Sequence, residues 1–120
     1  MLTYTTKGLQ DLQETMTNKK VSSNMNMILY TNVITPSDSL LLEDLTQPVG
    51  IAPVEIVGAN WTVTDANPSV ATYPQVAFGF SNSDTLYGYA LERDGILLGL
   101  ENFTDGPYEL PAAGGQIKIT

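Results

Sequence analysis

The sequence predicts a mainly β protein: an antiparallel β-sandwich or barrel with a short N-terminal helix or arm. Three observations carry this. Short runs rich in β-branched and aromatic residues recur along the chain, each bounded by Gly, Pro, Asn or Asp. Charge is sparse, 15% of 120 residues, while 10 glycines and 7 prolines supply turns. Leu86–Phe103 reads as a β-hairpin, because Asp94-Gly95 can take the positive φ angles of a two-residue turn. At this length the chain is one domain, large enough to bury a core without metal or disulfide.

With Asp94-Gly95 as the turn, Leu91 is expected opposite Leu98, Tyr89 opposite Leu100 and Tyr87 opposite Asn102, making one apolar face. The other face then pairs Glu92 with Leu97, Ala90 with Gly99 and Gly88 with Glu101. Gly88, Ala90 and Gly99 leave that face thin, so it is either flat and solvated or the seat of another backbone segment or another chain. An alternative turn at Arg93-Asp94, with Gly95 as a bulge, would pair Ala90 with Leu98 and mix the two faces, which disfavours it.

From the N-terminus, Met1–Thr6 can form an extended arm or strand, and Thr6 is the expected cap of a helix from Lys7 to about Asn18. Leu9, Leu12 and Met16 fall on one face of it; they are expected to pack on the sheet or, alternatively, to reach a neighbouring subunit. Lys19–Asn24 is polar, which divides the chain into an arm, helix and linker over 1–24 and a single β-domain over 25–120. Met25–Ile34 is a strand in which Ile28, Tyr30 and Asn32 alternate with Met27, Leu29 and Val33. After a turn at Thr35–Ser39, Ser37 or Asp38 would cap a short helix whose Leu40, Leu41, Leu42 and Leu45 form a lid over one end of the core.

Val54–Val57 and Asn60–Thr64 are strand pieces bent at Gly58-Ala59, and Asp65–Ser69 is a turn. Val70–Phe80 is a strand region with Pro74 at an edge or bulge, and Val76, Phe78 and Phe80 share a face. A turn at Thr104–Pro107 leads to a short strand, Tyr108–Leu110. Gln116–Thr120 ends the sequence as a strand with Ile117 and Ile119 inward.

The net charge is −8, and Lys7, Lys19, Lys20, Arg93 and Lys118 are the only bases. Phosphate neutralisation needs clustered Lys and Arg, so neither nucleic acid nor an anionic membrane surface is an expected partner. No cysteine and no histidine occur. This removes thiol chemistry, Ser-His triads and His- or Cys-based zinc sites. The opening MLTYTTKGLQ lacks the basic start and apolar run of a signal peptide, and no stretch is long and apolar enough to span a bilayer.

Three weaker patterns remain. Glu92, Glu101, Asp105 and Glu109 invite a two-carboxylate hydrolase reading, although exposed hairpin carboxylates are normally just solvated. Asp84, Asp105 and Glu109 lie in or beside loops, without the spacing of a calcium motif. Trp61, Tyr73, Tyr87, Tyr89 and Tyr108 could stack sugars, or could equally be core residues with a polar tip at the surface. The expectation is a protein without catalytic residues, metal or cofactor.

Three stretches carry a resemblance: NVITPSDSLLLEDLTQP, GANWTVTDANPSVATYPQVAFGF and LYGYALERDGILLGLENFTDGPYELPAAGGQIKIT. In this order the chain resembles a group of small virion structural proteins of tailed bacteriophages, cyanophages among them. The DGPY-to-IKIT ending and the WTVT–NPS–ATY–Q stretch are the sharpest parts, and Met1–Asn26 lies outside the likeness. The resemblance implies a cement or decoration protein on the capsid surface that binds the major capsid protein and stabilises the shell. It implies a homotrimer or other homo-oligomer, made in the bacterial host cytoplasm. The alternative it implies is a tail or fibre component, with a carbohydrate-binding β-module as one form. Residues taken forward as a candidate interface are Leu9, Leu12, Met16, Gly88, Ala90 and Gly99.

Overall fold

The computed structural model describes residues 2–17, 19, 24–57, 60–65 and 71–119. The chain is mainly antiparallel strands with one short helix near the N-terminus, as the sequence predicts. The elements are β1 (Thr3–Tyr4), α1 (Thr6–Met16), β2 (Met25–Tyr30), a 3-10 turn (Leu42–Asp44), β3 (Val54–Ile56), β4 (Thr62–Val63) and β5 (Ala71–Thr72). They continue with β6 (Val76–Phe80), β7 (Asp84–Leu86), β8 (Gly88–Arg93), β9 (Ile96–Asn102), β10 (Tyr108–Leu110) and β11 (Gly115–Ile119). A five-stranded sheet runs β1-β9-β8-β2-β3, and β6 with β11, β7 with β10 and β4 with β5 form two-stranded ladders.

The central hairpin turns at Asp94-Gly95, with φ of 53° and 79°, the positive pair that such a turn requires. Arg93 faces Ile96 and Glu92 faces Leu97. Between Leu91 and Glu92 the register then shifts, so that Leu91 faces Gly99, Ala90 faces Leu100, Tyr89 faces Glu101 and Gly88 faces Asn102. The expected pairs Leu91–Leu98, Tyr89–Leu100, Tyr87–Asn102, Ala90–Gly99 and Gly88–Glu101 are therefore corrected by one residue. A β-bulge absorbs Leu98. Its cause lies far away in sequence: the Leu98 carbonyl accepts the Thr5 N–H at 3.1 Å, and the Leu97 carbonyl accepts the Thr5 hydroxyl. The shift also brings Ile28, Ala90 and Leu100 side by side on one face, where all three are buried.

The two faces of the sheet carry separate cores. On one face Ile28, Tyr30, Ala90, Leu97 and Leu100 pack with Leu45, and Leu40 and Leu42 close over them. The expected leucine lid is thus present, except that Leu41 turns outward. Its helical part is a single turn beginning at Leu42. Neither Ser37 nor Asp38 caps it; the Leu41 N–H donates to Asp44 Oδ2 at 2.8 Å, and the Asp38 carbonyl receives the Thr6 N–H instead. On the other face Leu29 and Ile56 pack with Val76 and Phe78 of β6, Leu86 of β7 and Leu110 of β10. Val76 and Phe78 share the buried side of β6 with half-buried Phe80, and Ile117 and Ile119 of β11 pack against the same cluster.

β2 stops at Tyr30, short of the expected Ile34. Beyond it the chain bonds to the leucine segment: the Thr31 N–H donates to the Thr46 carbonyl, the Thr46 N–H to Asn32 Oδ1 and Asn32 Nδ2 to the Asp44 carbonyl. The expected strand over Val70–Phe80 is split, with Pro74 between β5 and β6, since proline has no N–H to give a ladder. The helix starts one residue early, at Thr6, because Thr5 caps it by accepting the Gly8 N–H at 2.9 Å. The arm is not separate from the β-domain: Thr3 and Tyr4 pair with Leu100 and Gly99 and form one edge of the sheet. The expected helix end at Asn18, the interior of the polar linker, the bend at Gly58-Ala59, most of the Asp65–Ser69 turn, Val70 and the terminal Thr120 lie outside the described residues.

Tyr30 ties the leucine side of the sheet together. Its hydroxyl donates to Asn102 Oδ1, and Asn102 Nδ2 donates to the Ile34 carbonyl at 2.9 Å. Burial, then the charges of Glu101 and Tyr89, push the phenol from 10.0 up to about 12. The folded chain holds a proton that the unfolded chain releases above pH 10, so this contribution to stability is whole below pH 10 and is lost as pH rises towards 12. The urea midpoint is expected to fall between pH 9.5 and 11.5 (about the window of these values), and to fall less steeply in Tyr30→Phe.

Candidate functional site

An amphipathic helix ordinarily buries its apolar stripe. Helix α1 does the reverse. Gly8 and Asp11 are its buried residues. A Cβ on Gly8 would overlap the Leu98 backbone, so the helix lies directly on the bulge of β9. Asp11 Oδ2 accepts from Arg93 Nε at 3.0 Å and Nη2 at 2.5 Å, an ion pair with both side chains almost wholly out of solvent. Leu9, Leu12 and Met16 therefore face outward, 49%, 41% and 82% exposed. The expectation that they pack on the sheet is overturned. The stripe is present as the sequence predicts, but the Asp11–Arg93 pair and the Gly8 contact set the roll of the helix. Gln13, Thr6 and Thr17, all exposed and uncharged, adjoin the stripe. Tyr4, at the free edge of β1, is also exposed.

On its other flank α1 walls a groove of about 700 Å³, with Lys7, Gln10 and Glu14 on the helix side and Leu41, Leu42 and Leu97 opposite. The helix thus stands proud of the fold: an apolar stripe on one side, a mixed groove on the other.

Gly88, Ala90 and Gly99, the thin part of the hairpin, are buried within the chain. A Cβ on Gly88 would strike the Tyr30 hydroxyl, and one on Gly99 would come within 2.9 Å of the Thr3 carbonyl and against Leu2. The segments lying close on these residues are β1 and Tyr30 of the same chain. Of the six candidate interface residues, only the three on α1 form a surface.

The aromatic set does not form one platform. Trp61 and Tyr73 meet edge-on at 4.9 Å, and Tyr73 is held by the Val57 N–H, which donates to its hydroxyl at 2.9 Å. Tyr87 packs on the leucine-side core. Tyr89, Phe103 and Tyr108 form a separate row, with ring centroids 6.4 and 4.9 Å apart. Phe103 is the member that sequence reasoning missed; its apolar ring offered no sign that it would sit between two tyrosines.

The carboxylates are dispersed in part. The bulge places Glu92 on the face of Leu97 and Ala90, and Glu101 on the opposite face beside Tyr89, so the two do not share a face as the unshifted register required. Glu92 accepts from Asn26 Nδ2 at 2.8 Å and from the Gly95 N–H at 3.3 Å, a structural role at the hairpin turn. Glu109 is exposed on β10, opposite Thr85. Asp84 accepts the Thr85 N–H. Glu101 and Asp105 do come to one depression, together with the aromatic row. Among the described residues no three acidic side chains gather as a metal site needs. Among them, too, no helix is long and apolar enough to cross a membrane.

No family model matches the chain, and comparison with characterised proteins and with solved structures finds no match.

Proposed function

We propose that this chain is a structural protein of a tailed-bacteriophage virion, a cement or decoration protein that docks on the major capsid protein and stabilises the shell. The observation that carries the reading is the outward stripe of α1. Leu9, Leu12 and Met16 are held in the open by a buried ion pair and a glycine contact on the far side of the helix. A protein that serves only itself gains stability by burying such a stripe. A protein that works by contact keeps it available and rigidly presented. The sequence resemblance supports the virion setting, and the absence of histidine and cysteine from the sequence agrees with a role without turnover. In this reading the chain acts on the capsid surface as a trimer or another homo-oligomer. Many copies per particle make weak single contacts effective.

The test is the copy number per purified particle, by quantitative mass spectrometry against the major capsid protein. An abundance near that of the shell protein is expected. An abundance lower by an order of magnitude (about tenfold or more) would move the protein to the tail, the alternative placement. Leu12→Asp and Met16→Asp are expected to leave the unfolding free energy, from urea titration, within about 0.5 kcal/mol of the parent. Both should abolish retention on particles, measured by sedimentation of shells with added protein. Undiminished retention of both variants would remove the stripe from the interface.

A further inference from the structure

The depression between the end of β9 and β11 combines features that the virion reading does not use. It holds about 360 Å³. Tyr89, Phe103 and Tyr108 line one part of it as a staggered row, with ring planes tilted by 34° and 51°. Glu101, Asp105 and Lys118 line it too, with Thr104, Ile117 and Ile119 completing the wall. Tyr108 is 38% exposed, and Asp105 and Lys118 are exposed, so the polar groups and an aromatic ring are reachable from solvent together. The juxtaposition depends on the fold: β8, β9, β10, β11 and the loop after β9 all contribute to it, and the β9 bulge decides that Glu101 lies on this face.

The chemistry of the lining selects among ligand classes. A phosphorylated ligand would face two carboxylates against one lysine, which disfavours it. A purely apolar ligand would cover Asp105 and Lys118, both exposed to water, and forfeit part of their hydration. A bare metal ion would find two carboxylates and an ammonium, a poor oxygen cage. A pyranose ring matches: its C–H face stacks on an aromatic ring, and its edge of hydroxyls donates to carboxylates and accepts from an ammonium. Tyr89, like any phenol near neutral pH, carries a hydroxyl able to donate, and burial followed by the Glu101 charge raises its pKa further. We propose that this depression is a saccharide-binding site, with Tyr108 as the stacking ring and Glu101, Asp105 and Lys118 as the groups that orient the sugar hydroxyls. The proposal stands on this geometry alone and holds whether the chain sits on a head, a tail or elsewhere.

The test is a titration of the full-length, 15N-labelled chain with maltotetraose and with chitotetraose, followed by amide chemical shifts. Saturable shifts confined to Thr104, Asp105 and the amides of β11 are expected for at least one of the two. Tyr108→Ala should weaken binding at least about tenfold, the equivalent of one lost stacking contact. Asp105→Asn, which keeps shape and surface exposure, should weaken it severalfold (about 1 kcal/mol or less, as one hydrogen bond is worth). It guards against misfolding of the alanine variant. Leu12→Asp, on the far helix, should bind the sugar as the parent does. The absence of saturable shifts with either sugar, shifts centred on Trp61 instead, or unchanged affinity in both Tyr108→Ala and Asp105→Asn would each overturn the assignment.

Discussion

Asp11→Ala is expected to lower the unfolding free energy by about 3–5 kcal/mol. A domain of this size has roughly 5–15 kcal/mol in total, so the loss is a large share of it. Asp11 is 1% exposed and Arg93 is 6% exposed, and Asp11 Oδ2 takes donors from both Nε and Nη2. Removing the carboxylate takes from a guanidinium in a dry setting the charged acceptor of its Nε and Nη2 donors, and that loss is the main cost. Because the pair is buried, the loss should persist at high salt, whereas a surface pair would be screened. Urea midpoints at low and high sodium chloride measure this. The double variant Asp11→Leu/Arg93→Met separates the pair from its packing: removing both charges at once is expected to recover most of the stability. If Asp11→Ala costs under about 1 kcal/mol, the value of an exposed pair, the helix is not seated by this contact. The variant also bears on function. It loosens α1 without touching Leu9, Leu12 or Met16, so particle binding should weaken while the stripe itself is intact.

The same pair shows where sequence reading ends. Strand positions with local signals were readable. The Asp94-Gly95 turn, the alternation of Val76, Phe78 and Phe80, and the Tyr108–Leu110 strand all depend on neighbours within a few residues, and all are found in place. The helix was readable too, down to a cap one residue from the observed Thr5. Its roll was not, because the deciding partners, Arg93 and the Leu98 backbone, lie 82 or more residues away. The hairpin register failed for the same reason. Counting outward from the turn is sound for two pairs. The bulge at Leu98 then follows from Thr5 bonding to the carbonyls of Leu97 and Leu98. From that one slip came the wrong partners for Ala90, Gly88 and Glu101. Glu101, once moved to the other face, meets Asp105 beside the row of Tyr89, Phe103 and Tyr108; the sequence groups the two acids and two of the tyrosines, but not acids with rings at one depression.

Gly8→Ala provides the complementary measurement, because local and tertiary effects predict opposite signs. In a free helix alanine is better than glycine by about 0.8–1 kcal/mol, so a peptide spanning Thr3–Lys19 should gain helicity on substitution. In the folded chain the new methyl would fall on the Leu98 carbonyl, with the Leu98 Cα at 2.6 Å. These are backbone atoms of a bulged strand that is pinned on its other side by β8, so they have little room to give. Overpacking of this kind costs about 1–3 kcal/mol, occasionally more. A net destabilisation of about 2 kcal/mol remains after the propensity gain is set against the upper end of that range. Chemical denaturation of the full chain, alongside circular dichroism of the peptide, reads both signs. A stabilised full-length Gly8→Ala would mean that α1 does not rest on the bulge, and the rigid outward presentation of Leu9, Leu12 and Met16 would lose its physical basis. A destabilised one, with amide shifts concentrated in α1 and at Leu97–Gly99, would tie the bulge, the seat of the helix and the exposed stripe to one another as consequences of a single close approach.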